Sequence, residues 1–415
     1  MLSPSVALPI FYLALPIAAI GIAGLRFRAS RNPTPLRETL FTFIFGAVGG
    51  LIVAEFYLHA ISLPPTEVAS ACYWGIAVAC ALRGVNAVLK WCIARVTPAN
   101  AQGRPCCAAA DVAGAIARSI LLFVFAIPYV GSMVLIWRPH TVHAGTPQTL
   151  LDRGYKDISF MTSDGLRIAG WWIPAASADD PHSMPLPSGR TVIVCHDFGA
   201  DKASDLKLAR DLVPGDFNIL AFDFRGHGQS AGQLCTFGDL ERRDVLGAVK
   251  WVRENHPAES RKIYGLGVGL GSAALIAAAA DPGLGRQIDA VAVFAPYDRV
   301  SNLIQGLTDA YYVPSVGWIA THVSLAMAGA QLGTPLSTFA PAQYVDKIAP
   351  RPLLVIAAEH DPLQDVSLSQ AVYEQASQPK LHYWIKKGDR KAMLFKNVSA
   401  SRTVRVFFET ARDIL

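Results

Sequence analysis

The sequence predicts an α/β fold, with a mostly parallel sheet covered by helices on both faces, preceded by an all-α transmembrane helical region. Two observations carry this prediction. From Arg190 onward, short apolar runs (TVIVC, FNILAF, KIYGLG, AVAVFA, PLLVIAA, LHYWI) alternate with segments of helical period. Strands that are apolar on every residue belong to sheets buried on both faces. The first third instead carries apolar stretches near spanning length, which raise the 415-residue chain to 52% hydrophobic and lower it to 17% charged residues. That balance is too apolar for an ordinary soluble protein. The predicted organisation is a membrane region at 1–138, a linker at 139–154 and the α/β domain at 155–415.

Four stretches approach the roughly 17 to 25 apolar residues that a spanning helix needs: Val6–Leu25, Leu40–Leu63, Val68–Leu82 and Ile120–Trp137. The third is short, and either extends past Arg83 as a tilted helix or lies in the interface. The leader Met1-Leu2-Ser3-Pro4-Ser5 has no positive charge and no small-residue cleavage pattern follows, so the first stretch is expected to be a permanent span. Arg26, Arg28, Arg31 and Arg37 lie between spans one and two, and Arg83, Lys90, Arg95, Arg104 and Arg118 between spans three and four. By the positive-inside rule, four spans place both termini and the α/β domain on the extracytoplasmic side; three spans return that domain to the cytoplasm. The expected partner is therefore a lipid bilayer. Glu55 and His59, four apart, share a face of span two, as an interfacial pair or as part of a proton or ion path.

A formal charge of +5, spread without a basic stripe, gives no reason to expect nucleic acid. The seven cysteines lack zinc spacing and a disulfide framework, so neither a metal nor a cofactor is expected.

Within the α/β domain, Tyr155–Met161 and Leu166–Ile173 have period two and are joined through Ser163-Asp164-Gly165, a hairpin signal. A helix at Asp239–Arg253 sets Val245, Ala248, Val249 and Val252 on one stripe, and a final helix does the same with Val404, Phe407, Phe408 and Ala411. Between Asp298 and Ile348 the alternation stops. A segment rich in Tyr, Trp, Leu and Ala intervenes there, expected to be a lid-like insertion or, equally, helical packing against the membrane half.

Three motifs accompany this pattern: Cys195-His196-Asp197-Phe198-Gly199 after the third strand, Asp223-Phe224-Arg225-Gly226-His227-Gly228-Gln229-Ser230 after the fourth, and Phe237-Gly238 to Asp244 at a helix start. With Gly267-Val268-Gly269-Leu270-Gly271 at a strand-to-helix turn, they resemble the α/β-hydrolase fold, specifically its serine aminopeptidase-like and esterase/lipase-like bacterial members. The resemblance runs through the whole domain and implies, with the spans, a multi-pass protein of a bacterial inner membrane.

It also implies a catalytic triad of serine at the elbow, acid after strand seven and histidine after strand eight. Asp361, in Glu359-His360-Asp361-Pro362, matches the acid. The nucleophile position falls on Gly269, and the histidine position on Arg390, or on Lys391 if the gap is one residue longer. A guanidinium stays protonated and a lysine must lose several pKa units to become a base. Losing the serine or the histidine alone costs on the order of 10⁶ in turnover in a serine protease. The resemblance makes His196, Asp197, Phe198 and Leu270 the oxyanion-loop and binding residues, and Asp197 stands where the family usually has glycine and opposes developing negative charge.

Substitutes are poorly placed. Ser272 lies one helical turn past the elbow, His196 and His227 occupy motif positions without catalytic duty, and His382 falls within a strand. Asp197 as a carboxylate nucleophile and His360 complete the candidates. The run GLGVGLGS lacks the sixth-position glycine of a dinucleotide fingerprint. Glycine at the elbow relieves a backbone strain of about 1 to 3 kcal/mol. The expectation is a membrane-anchored pseudo-hydrolase with a binding or scaffolding role; the alternative is an active esterase, lipase or peptidase with a non-standard nucleophile. The amides of Leu270 and Phe198, and Arg390 or Lys391, suit a small anionic or carboxylate ligand, unless Arg390 pairs with Asp361 in a salt bridge.

Overall fold

The computed structural model describes residues 17–26 and 28, 34–58, short pieces between 75 and 143, then 145–175, 188–210, 217–309, 314–361, 363–386 and 398–411. The chain divides into two compact units, Met1–Gly131 and Ser132–Leu415.

In the first unit, helix α1 (Thr34–Leu58) follows a helical stretch at 17–26. Ile17, Ile20, Ile22 and Leu25 are exposed on the one, and Leu40, Phe41, Ile44 and Phe45 on the other. The side chains of α1 are described only through residue 48. Among the described residues no helix is long and apolar enough to cross a membrane. Most of the expected spans at 68–82 and 120–137, with His59 and the side chain of Glu55, lie outside them.

The second unit begins before the expected linker. Ile136 accepts a backbone hydrogen bond from Cys235 (2.8 Å), Gln331 donates to Ser132 Oγ (2.9 Å), and both ring nitrogens of His140 meet carbonyls of Gly228 and Gly232. A short helix, α2 (Pro147–Leu151), is capped by Thr146.

Eight strands then form one sheet: β1 (Lys156–Met161), β2 (Arg167–Ile173), β3 (Arg190–Cys195), β4 (Asn218–Phe222), β5 (Lys262–Val268), β6 (Ala290–Phe294), β7 (Leu353–Ala358) and β8 (Lys380–Ile385). Their order is β1-β2-β4-β3-β5-β6-β7-β8. The β1–β2 hairpin and the β2–β4 pair are antiparallel and the remaining pairs parallel.

Alternate residues of the central strands feed two separate cores. Val192, Val194, Val268 and Ile356 pack with Phe407 and Phe408 of α8 (Val398–Thr410) on one face. Ile193, Val291, Val293 and Val355 pack on the other with Val245 and Val249 of α3 (Arg242–Asn255) and Leu275 of α4 (Leu270–Ala279). Both faces are thus buried, which is why each strand reads as a continuous apolar run.

The 298–348 segment forms α5 (Val300–Asp309), α6 (Pro314–Leu332) and three 3-10 turns. Val300, Ile304, Leu325 and Ala328 pack on Ala273 and Ala277 of α4. α4 is therefore covered by the second core on one side and by this insertion on another, and all ten of its residues are buried. An α7 helix (Val366–Gln375) precedes β8.

Candidate active site

The turn from β5 into α4 is built by glycines with different duties. A Cβ at Gly271 would meet the carbonyl oxygen of Cys195, one at Gly267 the backbone of Gly271, and one at Gly265 the side chain of Leu275. These glycines let α4 lie close on β5 and β3, so the GLGVGLG run is a packing device, not a nucleotide-binding loop. Gly269 is there for its backbone angles. It has φ 49° and ψ −108°, in the left-handed half of conformational space that side chains with a Cβ rarely adopt. Its amide donates to the carbonyl of Phe294 (2.9 Å). The elbow is fully formed and presents no side-chain atom at its apex.

Asp197 follows β3 and reaches this apex. Its Oδ1 accepts from its neighbour's amide, Phe198 N (2.7 Å), and from Leu270 N (3.1 Å), the first amide of α4. Its own amide donates to Asp205 Oδ2 (2.8 Å). Two amides from different elements therefore converge on one carboxylate oxygen. Sequence reasoning identified Asp197, Phe198 and Leu270 but not their mutual bonding, and it missed Asp205, whose only signal is its place in a polar loop.

His196 lies behind this loop. Its Nε2 accepts from Phe224 N (3.0 Å), so Nδ1 carries the proton and donates to the Asp197 carbonyl (2.7 Å). Burial pushes its pKa down, against the raising influence of Asp223 and of the Asp197 carbonyl. His227 mirrors it, accepting from Gly199 N (3.3 Å) while Nδ1 faces the Arg225 carbonyl (2.9 Å). Both are neutral rings that brace the β3 and β4 loops against each other.

The strand order, with a formed elbow after β5 and the two braced loops, decides the architecture. Structurally, the chain is similar to an esterase of Pyrococcus furiosus, Pf2001, at 26% identity, covering 65% of this chain and 98% of that one with a TM-score of 0.50. Residues 132–415 adopt the α/β-hydrolase fold. A family profile described as serine aminopeptidase, S33, matches residues 187–341 of this hydrolase-fold domain. The uncharacterized protein YqkD of Bacillus subtilis is 27% identical over 235 residues, 56% of this chain and 75% of its own length. The uncharacterized protein YfhR of Escherichia coli O157:H7 is 24% identical over 228 residues, 54% of this chain and 69% of its own length.

Around the elbow of the hydrolase-fold domain, the other expected positions are distributed as follows. Asp361 follows β7 at the carboxyl end of the sheet, where its Oδ1 accepts from Leu363 N (2.9 Å). Arg390 and Lys391 lie outside the described residues, and with them the proposed pairing to Asp361. Ser272 is fully buried in α4 and donates to the Phe294 carbonyl (2.8 Å), facing away from any solvent-accessible reactant. Cys195 is fully buried, and burial pushes its thiol far up, away from the thiolate a nucleophile requires. His382 is exposed on β8, stacked on Trp384 (4.9 Å between centroids), and His360 is exposed in the loop after β7. Among the described residues no group of three His, Cys, Asp or Glu side chains is arranged to hold a metal ion.

Proposed function

We propose that this chain is a membrane-anchored α/β-hydrolase-fold protein that does not run serine-hydrolase chemistry and acts by binding or scaffolding. The observation that carries this reading is Gly269: the elbow has the backbone geometry of a nucleophile turn and no nucleophile. Burial of Ser272 and Cys195 supports it by removing the neighbouring substitutes. The sequence position of Arg390 or Lys391, where the family has histidine, supports it further.

Membrane anchoring draws support from the exposed Ile, Leu and Phe side chains of 17–25 and α1, and from the apolar stretches of the first third. The distribution of arginines and lysines favours an extracytoplasmic hydrolase-fold domain in a bacterial inner membrane. A small anionic or carboxylate ligand of the vacated elbow meets the amides of Leu270 and Phe198 only by displacing Asp197.

The decisive test is reaction of the full chain with a fluorophosphonate probe and with p-nitrophenyl esters. Silence in both assays is expected. Labelling or turnover would replace this reading with an active ester or amide hydrolase using a non-standard nucleophile. Protease accessibility of the hydrolase-fold domain in spheroplasts checks the sidedness, with cleavage expected.

A further inference from the structure

We propose that Asp197 is a tethered internal oxyanion that shuts the elbow's oxyanion hole, independently of the missing serine. The inference deepens the reading of the elbow as a vacated nucleophile position and rests on it. Leu270 N–H is the first amide of α4 and has no carbonyl four residues back within the helix, so it needs an outside acceptor. Phe198 N–H sits on a separate loop after β3. A single oxygen, Asp197 Oδ1, serves both at 3.1 and 2.7 Å.

This is the arrangement an acyl-transfer oxyanion takes between two amides, here satisfied in advance by a side chain of the protein. The positive end of α4 favours the charge. The bond from Asp197 N to Asp205 Oδ2 (2.8 Å) holds the loop in register. A second negative oxygen brought to the same place loses both donors and meets a like charge. The amide pair is thereby closed to carboxylate and phosphoryl groups while Asp197 holds it, whereas uncharged and cationic ligands meet no such repulsion. Replacing the serine alone cannot restore chemistry at this elbow.

Two measurements on the full chain test this. The first is amide hydrogen exchange at Leu270 and Phe198, read by mass spectrometry. Asp197→Ala removes the acceptor and should accelerate exchange about tenfold or more, while Asp197→Asn keeps a carbonyl acceptor and should stay near the wild-type rate. Unchanged exchange in Asp197→Ala overturns the proposal. The second compares fluorophosphonate labelling of Gly269→Ser/Arg390→His with the same protein carrying Asp197→Gly as well. In that reaction the serine oxygen bonds to phosphorus, fluoride leaves, and the histidine takes the hydroxyl proton. Opening the hole should speed labelling roughly a hundredfold. Equal rates, zero included, overturn the proposal. Labelling of the wild-type chain is a separate result and sinks the vacated-elbow reading instead.

Discussion

The turn after β4 and the turn after β5 both resemble family motifs, and both pass through left-handed glycines, Gly226 and Gly228 in one and Gly269 in the other. They differ in what their side chains do. In the β4 turn every charged group is spoken for. Asp223 accepts from Lys202 Nζ (2.7 Å), Lys202 N (2.7 Å) and Gln229 N (2.8 Å), and Ser230 Oγ donates to the Asp223 carbonyl (2.6 Å). Arg225 is bidentate to Asp164 and also grips buried Asp244 (2.7 Å). The β5 turn retains only its backbone. A motif match thus divides into residues that hold loops and residues that react, and here the match rests on the first kind.

Breaking the bracket of the β4 turn is expected to have the largest effect. Arg225→Ala removes the guanidinium from buried Asp244 and leaves the carboxylate only the residue-225 amide (2.9 Å), which should cost about 3 to 5 kcal/mol, measured by urea unfolding of the full chain followed by tryptophan fluorescence. A loss below about 1 kcal/mol would mean that the turn is held by its glycines rather than by its charges.

The bracketing extends to Asp201, which gives it a pH signature. Burial raises this carboxyl's pKa, but hydrogen bonds from His143 and Ser204 outweigh that and hold it down at about 2, against an ordinary 3.8. A depressed folded-state pKa means the unfolded chain takes up the proton first. The stabilisation is therefore complete above about pH 4 and is lost as the pH falls toward 2. Its size is of order 2 kcal/mol. Asp201→Asn should flatten that limb of a stability–pH profile; an unchanged profile would assign acid sensitivity to other carboxylates.

At the elbow, Gly269→Ser should destabilise the hydrolase-fold domain by about 1 to 3 kcal/mol because of the positive φ, and should yield no ester turnover. This is the reverse of the β4 turn, where loss of a side chain destabilises. A stabilised Gly269→Ser protein would mean the turn relaxes away from φ 49°.

Much of this contrast was legible in the sequence, and the rest was hidden for identifiable reasons. The buried strands announced themselves because both sheet faces demand apolar residues, and the hairpin expected from Tyr155 to Ile173 forms as β1 and β2. The helix expected from Asp239 begins regularly at Arg242. Before it, buried Glu241 accepts from Thr236 N and Gly238 N and holds a turn with Phe237 at φ 54°. Helical packing is one reading of the 298–348 segment, but the bounds of α6 are not legible because Trp318 and Ile319 are exposed while Leu325 is buried, so apolar residues occupy both its faces and leave no amphipathic period. The Asp197–Leu270 bond joins residues 73 apart in sequence, and no local pattern encodes it.

The smallest expected effect bears on whether the elbow has a concealed nucleophile. Ser272 is the one hydroxyl within a helical turn of Gly269, and its sequence position one turn inside the helix already speaks against it as a nucleophile. Its geometry agrees, since the hydroxyl is fully buried and already donates to the Phe294 carbonyl at 2.8 Å. That same carbonyl accepts the Gly269 amide, so the hydroxyl ties α4 to the end of β6 beneath the elbow. Ser272→Ala should therefore cost about 1 kcal/mol, the usual net value of one buried hydrogen bond, and change nothing in reactivity toward fluorophosphonates or esters. If wild-type labelling were found and Ser272→Ala abolished it, α4 would have to open far enough to expose this hydroxyl. The contrast between a bracketed β4 turn and an emptied β5 turn would then collapse into a difference in mobility.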